Sequence, residues 1–128
     1  FFFYGYGYHR DLPGVDRRQR QMCIRARPYI DRMIGIYKKR RDLVLTTLRK
    51  IGIEFDPPKG TFYLWVPAPK GMSSLEFTNR LFDKTAVVVA AGTAYGQYGE
   101  GFIRVSLTVP DDRLQEAMAR IEREFARP

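Results

Sequence analysis

The chain has one cysteine and one histidine in 128 residues, and both, Cys23 and His9, fall in its first 26 positions. The remainder therefore offers no cluster of soft ligands for a metal site and no histidine for a serine or cysteine triad. Without paired cysteines the composition fits a reducing compartment, and a cytoplasmic protein is expected. No apolar run approaches the roughly twenty residues of a membrane span, so no membrane partner is expected either. A G-x-x-x-x-G-K-[ST] phosphate loop is also missing. The glycines Gly92, Gly96, Gly99 and Gly101 lie between two strand-like segments, with no helix N-terminus to receive an anion. Their expected role is turn geometry.

Charge of one sign is scarce outside a single stretch. The formal net charge is +8 and the pI is about 9.9, values that invite a nucleic-acid reading. Yet ten Lys/Arg face one Asp between Arg17 and Arg41, whereas from Asp42 onward eleven basic residues balance eleven acidic ones. The basic excess thus belongs to Arg17–Arg25 and to the run Lys38–Arg41. Such a run on a helix is expected to be a solvated face. No aromatics are interleaved among these cations to stack on bases, so nucleic acid is not expected as a partner. A non-enzymatic basic module remains the rival reading from another class, and it predicts salt-sensitive nucleic-acid binding.

The body of the chain alternates helical and strand-like patterns. Met33, Ile34, Tyr37, Val44, Leu45 and Leu48 follow three- and four-residue steps, predicting a helix from about Ile30 to Lys50 that stops before Gly52. Ile53–Phe55 and Thr61–Val66 read as strands around a turn of Pro57, Pro58 and Gly60, the second stopped by Pro67 and Pro69. Ser73 and Glu76 form a capping box for a helix from Ser74 to about Lys84, with Phe77 and Leu81 inward. Val87–Ala90 and Phe102–Thr108 read as further strands. Asp111 is expected to cap a last helix, in which Leu114, Ala117, Met118, Ile121 and Phe125 repeat. The expected class is α+β: a small antiparallel or mixed sheet with helices packed against it.

Within Phe102–Thr108, alternation puts Ile103, Val105 and Leu107 on one face and Phe102, Arg104 and Ser106 on the other. Arg104 is then either a cation on the wet face of a half-exposed strand or an anchor for a carboxylate. A guanidinium presents a planar fork of donors that matches two carboxylate oxygens, which makes the second reading chemically specific. Trp65 and Tyr63 are expected in the core rather than on a ligand platform.

The order of PKGTFYLWVPAPKG (58–71), SSLEFTNRLFDKTAVVVAAGTAYGQYGEGFIRVSLT (73–108) and DDRLQEAMARIEREF (111–125) resembles the C-terminal small domain of class I/II aminotransferases. Within them it is most similar to the LL-diaminopimelate aminotransferases, with Tyr98–Gly101 as the branch-like loop. The resemblance covers about Ile30 to Phe125. It implies a fold-type I enzyme that uses pyridoxal 5'-phosphate to move an amino group between amino-acid and 2-oxo-acid substrates, in a homodimer. It also implies that Arg104, in the R-[IV]-S strand, binds the substrate α-carboxylate; no catalytic, cofactor-binding or metal-binding residue is carried over. Ala91 stands where the family usually has proline, which predicts a looser turn before Gly92. The cofactor lysine of such enzymes sits in an S-x-x-K context in the large domain. Lys38, Lys39, Lys50, Lys59, Lys70 and Lys84 all sit in other contexts, so the chain alone is expected to be inactive. Other fold-type I enzymes, such as a carbon–sulfur lyase or an aminotransferase-like regulator domain, keep the same small domain and arginine.

The start of the chain reads differently. Residues Arg17–Arg25, RRQRQMCIR, back-translate into one frame of the end of a transposon-type sequencing adapter. Phe1–Asp16 opens FFFYGYGYHR, with neither strand alternation nor helical period and no signal-peptide pattern. The expected organisation is a non-native or disordered leader over 1–26 and the small domain over 27–128.

Overall fold

The computed structural model describes residues 15–126. They form three α-helices, α1 (Val15–Lys50), α2 (Ser74–Thr85) and α3 (Asp111–Phe125), and three strands, β1 (Tyr63–Pro67), β2 (Ala90–Ala91) and β3 (Phe102–Ser106). Two short 3-10 turns, Gly92–Tyr95 and Gln97–Gly99, link β2 to β3. The chain divides into two compact units, Phe1–Gly35 and Ile36–Pro128. The first unit contributes the opening of α1. That helix begins at Val15 and runs through Pro28, well ahead of the start at Ile30 that apolar periodicity predicts. The added stretch holds five Arg and two Gln, which favour helix without marking a buried face. Of the leader expected over 1–26, residues 1–14, with His9, lie outside the described residues.

In the second unit the sheet order is β1-β3-β2, antiparallel throughout. Leu64 and Val66 from β1 and Ile103 from β3 point to one side, and Leu107 joins them just beyond β3. They close a core with Val44 and Leu48 of α1, Phe77 and Leu81 of α2, and Leu114, Met118 and Ile121 of α3. Alternation along the strands turns Tyr63, Trp65, Phe102, Arg104 and Ser106 to the other side. The unit is thus an α+β two-layer arrangement in which the helices cover one face of the sheet and leave the second open.

Several local features depart from the sequence expectations. Ile53–Phe55 forms no strand, because Gly52 at φ +84° closes α1 and the Ile53 N–H donates back to Leu48 O at 2.9 Å. A donor used in this helix-closing pattern cannot join a ladder. Pairing after α2 begins only at Ala90, not Val87. Ala86 turns left-handed at φ 54° to end the helix, and the Val87 N–H bonds Thr85 Oγ1 at 3.3 Å. β1 includes Pro67 as its last residue rather than ending before it, and β3 ends at Ser106. Asp111 does not cap α3. Pro110 occupies the cap position and Asp111 is the first helical residue, its carboxylate held by Arg40. The capping box forms as expected: Ser73 Oγ accepts from the Glu76 N–H at 3.2 Å, and the Ser73 N–H donates to Glu76 Oε2 at 2.9 Å.

Candidate functional site

Arg104 occupies the middle of the central strand, paired across to Trp65 on one side and to Ala90 on the other. Ala90 contributes only a methyl beside it, whereas β1 supplies large rings. The Arg104 Cζ lies 4.3 Å from the Tyr63 ring centroid and 4.5 Å from that of Tyr95. Trp65 meets Tyr95 edge-on at 5.8 Å and stacks on Phe102 at 6.0 Å. Tyr63 and Trp65 are 36% and 40% exposed, so they form the platform around the arginine rather than part of the core. The signal was present in YLWV, since a strand that buries Leu64 and Val66 must turn Tyr63 and Trp65 the other way.

Among the described residues no charge answers that of Arg104. Its Nε is buried and has no hydrogen-bond partner, and among the described residues no carboxylate pairs with it. A cation half-withdrawn from water in this way is costly unless an anion arrives. The in-plane donors of such a guanidinium suit a carboxylate.

The nearest carboxylate in the loop is turned elsewhere. Glu100 accepts from the Ser74 N–H at 2.9 Å and the Ser74 hydroxyl at 3.0 Å, tying the loop to the N-terminus of α2. The Ser74 N–H, and after it the hydroxyl, holds the Glu100 carboxyl below the usual carboxylate range, against the opposing effect of burial. Gly92 and Gly99 bring the two ends of the loop together so closely that a Cβ on either would overlap the other's backbone. Between them Gly96 adopts φ 113°, ψ 171°, a conformation that is essentially glycine's alone. The Gly101 carbonyl accepts from the Ala68 N–H at 2.8 Å. Of the Tyr98–Gly101 loop, Gly99 and Glu100 thus fix its shape, while Tyr98 is 91% exposed. Ala91 sits at φ −64°, ψ 140°, the backbone that proline would impose, so the turn is no looser for lacking proline.

The basic run is largely engaged within the chain. Arg40 binds Asp111 and donates to the Leu107 carbonyl at 2.9 Å, while Arg41 binds Asp42 at 2.8 Å and donates to the Pro58 carbonyl at 3.4 Å. Only Lys38 and Lys39 of the four are left as the expected solvated face. Among the described residues there is no group of three or more His, Cys, Asp or Glu able to hold a metal ion, and no helix long and apolar enough to cross a membrane. Cys23 lies in α1, and nothing is described of its side chain.

Residues 17–121 match the family described as aminotransferase class I and II. The chain belongs to that family. The aminotransferase match opens ten residues before the domain boundary expected at Arg27. A curated relative, the LL-diaminopimelate aminotransferase of Dehalococcoides mccartyi strain 195, is 47% identical over 92 residues, 72% of this chain and 24% of its own length. The enzyme of the same name from Halothermothrix orenii is 42% identical over 93 residues. Among solved aminotransferases, the aromatic aminotransferase from Pyrococcus horikoshii superposes with a TM-score of 0.72 at 34% identity, covering 78% of this chain and 27% of that one. The LL-diaminopimelate aminotransferase of Chlamydomonas reinhardtii gives 0.68 at 27% identity, covering 75% and 23%. The chain spans about a quarter of the length of the curated relatives it matches.

Aminotransferases of this family are generally dependent on pyridoxal 5'-phosphate, but the described residues do not fit that group by themselves. The cofactor needs an amine withdrawn from water to carry it, and all six lysines are exposed. Lys50 is moreover bound to Glu122 at 2.6 Å. What the chain does provide is Arg104, with a buried, unpartnered Nε between two tyrosine rings.

Proposed function

We propose that this chain forms the C-terminal small domain of a pyridoxal-phosphate-dependent aminotransferase, in which Arg104 binds the α-carboxylate common to the amino-acid and 2-oxo-acid substrates. One observation carries the reading: a buried guanidinium nitrogen without a partner, set among aromatic rings on the open face of the sheet of an aminotransferase-family chain. The site's task is binding and orientation. Two parallel bonds from the guanidinium fix the plane of the carboxylate and so the direction of the bonds at Cα, while the aromatic platform keeps water from competing for the donors. The cofactor, its lysine and its phosphate anchors are assigned to the rest of a longer polypeptide, so the chain on its own is inactive. The names of the curated relatives support LL-diaminopimelate as the amino-acid substrate; a place in lysine biosynthesis and a cytoplasmic homodimer as the working form are what the family resemblance implies. The domain is taken to begin at Arg27. The codon match at Arg17–Arg25 supports an adapter-derived leader although the family match opens at residue 17. Amplification of source DNA outward from the Thr61–Val66 codons decides it, and a continuous native frame through Arg17 would remove the leader.

The functional test uses an enzyme in which residues 27–128 replace the matching segment of the Dehalococcoides mccartyi aminotransferase. Arg104→Ala is expected to lower kcat/KM for LL-diaminopimelate by a factor equivalent to about 2–5 kcal/mol while leaving the cofactor absorbance intact. An unchanged kcat/KM would refute the assignment.

A further inference from the structure

We propose that Tyr63 and Tyr95 are positioning residues that hold the Arg104 guanidinium ready for a carboxylate without using its donors; the proposal rests on the reading of Arg104 as a carboxylate anchor. An arginine waiting for a ligand faces a conflict. A flexible side chain must be held still, yet the usual restraint, a carboxylate from the protein, would occupy the same N–H groups that the ligand needs. Aromatic faces resolve the conflict, because the ring quadrupole attracts the cation through its π face and leaves the in-plane donors unbonded. The Arg104 surroundings follow this logic. Both tyrosine rings lie within 4.5 Å of Cζ, Nε is buried without an acceptor, and the one loop carboxylate, Glu100, is drawn away to Ser74.

The two rings are supported from independent elements. Tyr63 stands on β1, in register with Ser106, two residues from Arg104 on the partner strand. Tyr95 comes from the first 3-10 turn, whose position is set by the contact of Gly92 with Gly99 and is buttressed by Trp65 edge-on at 5.8 Å. The loop between β2 and β3 thereby acquires a purpose beyond its turn: its glycines and Glu100 place a ring on the arginine. The attraction needs the ring and not the phenol hydroxyl, so phenylalanine should serve where leucine does not.

The test uses the 128-residue chain, nitrogen-15 labelled, with 2-oxoglutarate as the carboxylate probe. In the ligand-free chain the Arg104 Nε–H resonance is expected upfield of its random-coil position through the ring currents of the tyrosines. It should stay there in Tyr63→Phe and Tyr95→Phe and move toward random coil in Tyr63→Leu and Tyr95→Leu. Titration should show binding that Arg104→Lys weakens at least tenfold, that either Leu variant weakens at least fivefold, and that the Phe variants leave within twofold. Binding lost with Arg104→Lys but unchanged in the Leu variants would overturn the clamp and leave the anchor standing. Binding that is absent, or indifferent to Arg104→Lys, would overturn the anchor and the clamp with it. An Nε–H resonance at its random-coil position in the ligand-free chain would overturn the clamp alone. Tyr95 is half exposed in a loop, so Tyr95→Leu carries the test should Tyr63→Leu, within β1, fail to fold.

Discussion

Replacing Gly92 by alanine probes the contact on which the loop depends. A Cβ at Gly92 would overlap the Gly99 carbonyl and lie 2.6 Å from the Phe102 carbonyl oxygen, and both obstacles are backbone rather than flexible side-chain ends. Relief requires the loop and the start of β3 to move apart. Forcing an extra methyl into a closed space costs about 1–3 kcal/mol. The backbone at Gly92 is not left-handed, so alanine also restricts the unfolded chain and returns about 0.4–1 kcal/mol of that cost. The expected net loss is about 1–2 kcal/mol, a sizeable part of the roughly 5–15 kcal/mol by which a domain is stable. Urea unfolding followed by far-UV circular dichroism and by the fluorescence of Trp65, the chain's only tryptophan, measures it. Trp65 should also report a changed environment before unfolding, because Tyr95 moves with the loop. Gly60→Ala is the control, since no atom stands within 4 Å of its Cβ. It should be neutral or slightly stabilising. If Gly92→Ala were as stable as Gly60→Ala, the close approach would not be what holds the loop.

Three further outcomes follow from the same geometry. Glu100→Gln should lower Tm at neutral pH, because the bonds from Ser74 favour the ionised carboxyl. With its folded-state value depressed, that stabilisation is complete above the unfolded value of about 4.3 and is lost as pH falls through the lower folded value, so wild type and variant should converge in acid; a gap independent of pH would contradict the role of the charge. Arg40→Ala should cost about 1–2 kcal/mol in urea unfolding through loss of the bonds to Asp111 and Leu107, whereas Lys39→Ala should stay within about 0.5 kcal/mol; equal effects would mean that Arg40, too, is merely part of a solvated face. Ala91→Pro should raise stability by about 0.4–1 kcal/mol, since φ is already −64° and Ala90 before it is in a strand; a fall in Tm would show that the Ala91 N–H is needed by the ladder to Ile103.

Helices and core were legible because their signals are local and repeated. The capping box at Ser73 and Glu76 fixes the start of α2, and the three- and four-residue steps of Leu114, Met118 and Ile121 fix the buried stripe of α3. What failed depended on competition for single donors and partners. Ile53 has the composition of a strand, but its N–H is taken by the closing turn of α1. Asp111 has the composition of a cap, but Arg40, seventy-one residues earlier, takes its carboxylate. The Arg40 competitor lies outside the window that a local pattern reads, whereas the Leu48 carbonyl is five residues from Ile53, and there the strand-like composition lost to the local helix stop at Gly52. At the site, alternation located Arg104 on the open face, yet Tyr95 could not be assigned, because its approach depends on a glycine-to-glycine contact that no periodicity announces.

The open face also explains how a charged residue is tolerated at the centre of a three-stranded sheet. A central strand of a covered sheet is apolar on both faces, and an unpaired arginine there would be strongly destabilising. Here the helices cover one face only, so Arg104 is buried by rings rather than by a second layer. That arrangement removes enough water to sharpen its preference for an anion and leaves the donors reachable from outside. Its strand neighbour in β2, Ala90, adds only a methyl beside it. The rings against the guanidinium are those of Tyr63 and Tyr95, with Trp65 packed on Tyr95 and Phe102 on Trp65. Rings hold a cation through their faces and leave its in-plane donors unbonded, which is what the proposed carboxylate-binding role of Arg104 requires.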